Sequence, residues 1–148
     1  MNQALYKDIK LAKVCGAQAA GKNDTITVTE VDMDGFKNLM VLCALGAVVD
    51  TADLTFKLQE YPTTGGDGGT YTDITGAANS QTNMTNAAHT NKALIIDCKN
   101  VSKRFVNVNL ARSNDANITI ENCWALLYNG RELPVTQDTA VYSSVLAS

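Results

Sequence analysis

From Thr25 onward several runs of this 148-residue chain place apolar residues at every second position, and that period excludes most folds at once. Leu54, Phe56 and Leu58 alternate with Thr55, Lys57 and Gln59, and Val106, Val108 and Leu110 alternate with Asn107 and Asn109. Ile26 and Val28 alternate in the same way with Thr25, Thr27 and Thr29. Successive side chains of a strand point to opposite faces, so each run predicts a strand with one dry face and one wet face. Leu39 to Val49 departs from the pattern because both of its faces are apolar. A sandwich strand normally buries one face only, so the second face of this run is expected to meet a loop, the N-terminal arm or another subunit. Leu39, Met40, Val41 and Leu42 are therefore the candidate subunit-contact residues.

Turn residues punctuate these runs at Asp32–Gly35, Asp50–Asp53, Ser113–Asn117 and Asn129–Gly130. The Leu39–Val49 and Leu54–Gln59 strands, joined by one short turn, read as a hairpin. Ala93–Cys98 reads as a further strand. Ile118, Ile120, Trp124, Leu126 and Tyr128 read as one face of a long strand, with Asn122 as a candidate bulge. The first twenty residues fit an irregular arm, a short helix or an edge strand. Residues 61–92 open on a Gly-rich stretch and predict a long excursion outside the sheets, in which only Tyr71–Ile74 reads as a strand. After Pro134 the tail Ala140–Leu146 reads as a last strand or a docking arm. The composition agrees with this pattern: charged residues are only 18%, and 16 Thr and 14 Asn take their place. Thr suits a pleated surface and Asn tolerates the left-handed conformations of tight turns. The expected fold is all-β, an antiparallel β-sandwich of jelly-roll or Greek-key type. Its parts are an N-terminal arm over residues 1–24 and a sandwich over 25–148, with a loop-rich insertion at about 61–92.

Little in the chain suggests reaction chemistry. His89, the single imidazole, falls in the polar middle segment without a nucleophile and carboxylate arranged around it. Gly65-Gly66-Asp67-Gly68-Gly69 lacks the Lys-Ser/Thr of a phosphate loop and reads as a hairpin tip. Asp32-x-Asp34-Gly35 imitates the start of a calcium loop, but the twelfth position is Cys43 where a bidentate Glu is required. Cys15, Cys43, Cys98 and Cys123 are widely spaced with no C-x-x-C pair, so they read as buried thiols. No enzyme activity, cofactor or metal is expected. No run approaches the roughly 18 apolar residues of a membrane span, and Met1–Asp8 lacks the order of a signal peptide. One charge feature stands out: Lys92, Lys99, Lys103, Arg104 and Arg112 face only Asp97 within their window, on a chain of net charge −3. Lys99, Lys103, Arg104 and Arg112 form a candidate protein-contact patch. The missing stacking aromatics speak against nucleic acid.

Several blocks together resemble small structural proteins of tailed bacteriophages. They are Asp34-Gly35-Phe36, then Leu39-x-Val41-x-Cys43-x-Leu45-Gly46-Ala47, then Asp53 to Glu60. Tyr71 to Ala77, the Ile-Ile-Asp-x-Lys-x-x-x-Lys-Arg-Phe block from Ile95 to Phe105, and Ala125 to Val135 follow. The resemblance spans roughly Asp34 to Val135 and is to capsid cement or decoration proteins. It implies a virion protein on the capsid surface, made in the host cytoplasm, that clamps neighbouring major capsid proteins and contacts copies of itself as a homodimer or homotrimer. The competing expectations are a tail or fibre component and a carbohydrate-binding sandwich. For the latter, Trp124 is read as a core residue and not as a sugar platform.

Overall fold

In the computed structural model, which describes residues 7–63, 70–131, 136–138 and 140–141, the period-two runs form eleven strands and one turn of helix. The strands are β1 (Lys10–Cys15), β2 (Gln18–Gly21), β3 (Asp24–Thr25), β4 (Val31–Asp32), β5 (Phe36–Val48) and β6 (Ala52–Tyr61). They continue with β7 (Thr72–Ala78), β8 (Gln81–Met84), β9 (Ala93–Cys98), β10 (Phe105–Ser113) and β11 (Ile118–Gly130), with α1 (Asn86–His89) before β9. All pairings are antiparallel. One sheet runs β1-β11-β5-β9, with β2 beside β11; the other runs β3-β10-β6-β7, with β4 beside β10 and β8 beside β6.

Where two short strands share a neighbour they occupy one lane, so the chain fills eight lanes in order. The five-stranded sheet then reads 1-8-3-6 and the six-stranded sheet 2-7-4-5. Lane 1 pairs with 8, 2 with 7, 3 with 6 and 4 with 5, which is a long antiparallel double ribbon rolled into two facing sheets. That is the jelly roll. The expected all-β sandwich is thus the observed fold, and its topology is the rolled one.

The dry faces meet between the sheets. Leu39, Val41, Cys43 and Leu45 of β5 and Cys123, Ala125 and Leu127 of β11 close on Leu54, Phe56 and Leu58 of β6 and Val106, Val108 and Leu110 of β10. Each of these is at most 2% exposed, and such burial contributes about 1.5–3 kcal/mol for each large side chain.

Several expectations change. β5 and β6 are not a hairpin: they lie in opposite sheets, and the turn between them crosses the sandwich. The Asn114–Asp115 turn carries β10 to β11 across the same gap, and the Asn114 amide donates to Thr51 O at 2.6 Å, so the two crossings are stitched together. A short turn between two alternating strands looks alike in sequence whether it folds back in one sheet or bridges two. Of the forms open to the N-terminal residues, Lys10–Cys15 takes the edge strand, so the sandwich begins well before residue 25. The middle segment is not outside the sheets either, since β7 and β8 fill the lane beside β6. The Gly65–Gly69 tip and most of the Ala140–Leu146 tail lie outside the described residues.

Asn does the turn work its abundance implied: Asn23, Asn83, Asn91, Asn100, Asn114 and Asn129 all have positive φ. Thr51 also has φ 73°, in a region that penalises a β-branched residue. Thr51→Gly is expected to stabilise the protein by about 1 kcal/mol, read as a higher midpoint in urea unfolding.

A candidate protein interface on the five-stranded sheet

The outer face of the five-stranded sheet is built by two bulges. Between Ile118 and Asn122 of β11, the register against β5 shifts twice: Ile118 faces Val48, Ile120 faces Leu45 and Asn122 faces Ala44. A one-residue slip turns every following side chain to the other face. Ile118 and Ile120 point into the core, but beyond the second bulge Cys123, Ala125 and Leu127 take the inward positions. Trp124, Leu126 and Tyr128 are thereby turned outward, partly exposed. The bulge near Asn122 was legible; its consequence, that Trp124 leaves the core face, reverses the reading of this strand.

The same division splits the Leu39–Leu42 candidates. Leu39 and Val41 are fully buried core residues, while Met40 and Leu42 lie on the outer face. Across the sheet, Leu11, Leu126, Met40 and Asp97 form one row and Lys13, Trp124, Leu42 and Ile95 the next. Ala44 and Ala93 extend it further. Three strand spacings make this apolar surface about 14 Å wide. Ile95 is 47% exposed. Contiguous apolar surface of a few hundred Å² marks a contact site on a soluble domain.

Its rim is polar. Lys13 stands on the β1 side and Asp97 on the β9 side. The Tyr128 hydroxyl reaches over β5 to donate to Asp97 Oδ1 at 2.5 Å. That carboxylate, with burial second, pushes the Tyr128 pKa up to about 12, so the hydroxyl stays a donor at neutral pH. Each outer edge of this sheet meets a side-chain amide. Gln137 mimics a neighbouring strand on β1, accepting from Leu11 N at 3.0 Å and donating to Ile9 O at 2.7 Å. Asn79 donates to Ile95 O of β9 at 3.0 Å.

The basic candidates do not form one patch. Lys99 and Lys103 are exposed on the β9–β10 connection, where Ser102 N and Lys103 N donate to the Glu60 carboxylate. Arg104 is exposed but engaged: its Nε and Nη2 grip Asp32 at 3.0 and 2.9 Å, and its guanidinium lies 5.1 Å from the Phe105 ring centre. This pairing holds the Asp32 carboxyl below its ordinary range and fills the mouth of the Asp32–Gly35 turn with a cation. Arg112 is a correction to the patch, because it is only 6% exposed. It binds both Asp24 oxygens through Nε and Nη2, and Nη1 donates to Ala19 O and Ile118 O at 2.7 Å each. Its cation serves the fold, tying β2 and β11 of one sheet to β3 and β10 of the other.

Gly21 makes room for that guanidinium, since a Cβ there would sit 2.4 Å from Nη2. Gly21→Ala is expected to cost about 2–3 kcal/mol in urea unfolding, because the pinned fork must give up hydrogen bonds to move.

His89 closes α1 with its ring folded back, Nδ1 accepting from Thr85 N at 3.1 Å. Among the described residues, no three Cys, His, Asp or Glu side chains converge where they could hold a metal ion. No protein-family model matches the chain, and no characterised protein matches it in sequence.

Proposed function

We propose that this chain is a structural virion protein that docks on the outer shell of a tailed-bacteriophage capsid, where it clamps neighbouring major capsid proteins. The observation that carries this reading is the outer face of the five-stranded sheet, where Leu11, Met40, Leu42, Ile95, Trp124 and Leu126 form one apolar surface. A central aromatic with aliphatic neighbours and a polar rim is the anatomy of a protein contact. The jelly roll is a frequent virion scaffold but hosts lectins as well, so the fold alone does not choose. The choice of a capsid rests on the block resemblance from Asp34 to Val135. Contacts between copies, as a dimer or trimer on the shell, belong to the same reading.

The outward position of Trp124 gives the carbohydrate reading one supporting observation. Sugar platforms, however, combine an aromatic with several hydrogen-bonding neighbours, and beside Trp124 across the sheet Lys13 is the one polar side chain, with aliphatic Leu42 on the other side. The test is co-sedimentation of the purified protein with heads and with tails separated from the virion. Saturable binding to heads in many copies per particle supports the proposal. Binding confined to tails assigns a tail component, and glycan-array binding lost in Trp124→Ala assigns a lectin; either outcome overturns it.

A further inference from the structure

Three of the four free cysteines stand in one row across the five-stranded sheet. Cys15 on β1 is opposite Cys123 on β11, and Cys123 is opposite Cys43 on β5. All three are buried, Cys43 and Cys123 completely and Cys15 to 6% exposure. The Cys123 thiol interacts with both of its neighbours. Opposed residues on antiparallel strands have Cα atoms about 4.5–5.5 Å apart, a separation that a disulfide spans.

The two ends of the row differ. Cys43 lies in the interior, whereas Cys15 lines an open cleft of about 350 Å³ whose walls include Lys10, Lys13, Glu30 and Asp32. The Lys13 ammonium rests against Gly16, the residue after Cys15. The Cys123 thiol first, and Lys13 after it, draw the Cys15 thiol below its ordinary range against the opposing effect of burial. Cys123, held between two other sulfurs, is pushed up. Cys98, the fourth thiol, is on β9 and is raised by burial and then by Glu60 and Asp97. One thiol of the row therefore borders an open cleft, and its neighbour is placed to resolve it.

We infer that Cys15 is a thiol-modification site that takes small-molecule disulfides and passes the oxidation to Cys123, stapling edge strand β1 to β11. The Cys15 thiolate attacks one sulfur of the reagent; the reagent's S–S bond breaks and one thiolate leaves. The Cys123 thiol then attacks the Cys15 sulfur, and its proton passes to the second thiolate as that thiolate is expelled. Two protein thiols are oxidised and one external disulfide is reduced to two thiols. The staple would secure a strand whose inner face carries Val14 and Cys15 of the core. The inference stands apart from the nature of the docking partner.

The folded protein is treated with glutathione disulfide, quenched with N-ethylmaleimide and mapped by peptide mass spectrometry. The expected result is loss of two of the four thiols and a single cross-linked species joining the Cys15 and Cys123 peptides. That species reverts with dithiothreitol and is absent in Cys15→Ser and in Cys15→Ala, while Cys98→Ser leaves it unchanged. Four free thiols after treatment, first reaction at Cys98, or a Cys43–Cys123 cross-link would each overturn the inference, and the wild-type map alone distinguishes them.

Discussion

Leu42→Asp combined with Trp124→Ser will leave the sandwich folded and weaken docking to capsid heads by at least about 100-fold. Both side chains lie on the outer face, directly opposite each other on β5 and β11. Neither belongs to the core between the sheets, and each is only partly covered on its own face, so truncating them costs less folding energy than a core substitution. At a docked interface the same positions are central, where removal of a buried aromatic typically costs 2 kcal/mol or more. A carboxylate placed beside it must be desolvated without a partner, which adds to the loss. Head co-sedimentation gives the affinity, and the urea midpoint shows whether the fold is retained. Binding unchanged within about threefold would show that this face is not the one in contact.

Arg112→Met carries the second large effect, and it falls on stability. The substitution keeps much of the apolar stem of a side chain that is 5% exposed but removes the guanidinium, which makes hydrogen bonds to Asp24, Ala19 and Ile118. Two carbonyls lose their donor and Asp24 loses its cation. Removing one partner of a buried pair costs about 3–5 kcal/mol; because Asp24 keeps 43% of its side-chain surface in water, the lower end is expected, about 3 kcal/mol. Arg112→Lys retains the charge without the planar fork and should recover only part of this loss.

The pH dependence has a definite sign. Arg112 holds the Asp24 carboxyl below its ordinary value, and Arg104 does the same for Asp32. A carboxyl whose folded pKa is depressed contributes stability that is complete above its unfolded value, near 4, and is lost as pH falls through the folded value. Wild-type stability should therefore decline below about pH 4, and in Arg112→Met the Asp24 part of that decline should vanish. Urea unfolding of both proteins between pH 2 and pH 6 reads the difference.

The strands were legible wherever one face was dry. Leu54, Phe56 and Leu58 announce β6 unaided, because alternation is a property of the local chain. Crossings between sheets were not legible, since nothing near Asp50 or Thr51 distinguishes an arch from a hairpin; only the pairing of β5 with β11 and β9 does. The outward turn of Trp124 depends on one extra residue near Glu121, whose effect on the strand beyond it emerges only from the partner's register. Arg112 looked like surface charge because the carboxylate that buries it lies 88 residues away. The row of Cys15, Cys123 and Cys43 is likewise a product of register between three strands far apart in sequence. The apolar second face of Leu39–Val49 was the one feature of the candidate interface that could be read directly, and Met40 and Leu42 are what remains of it outside the core.

The proposed docking surface for the capsid shell is the outer face of the five-stranded sheet. Cryo-electron microscopy of the purified virion, with this chain traced in the density, tests it directly. The expected result is the chain on the head, with Leu42 and Trp124 covered by major capsid protein. A chain found on the head with that face open to solvent, or found only on the tail, would contradict it.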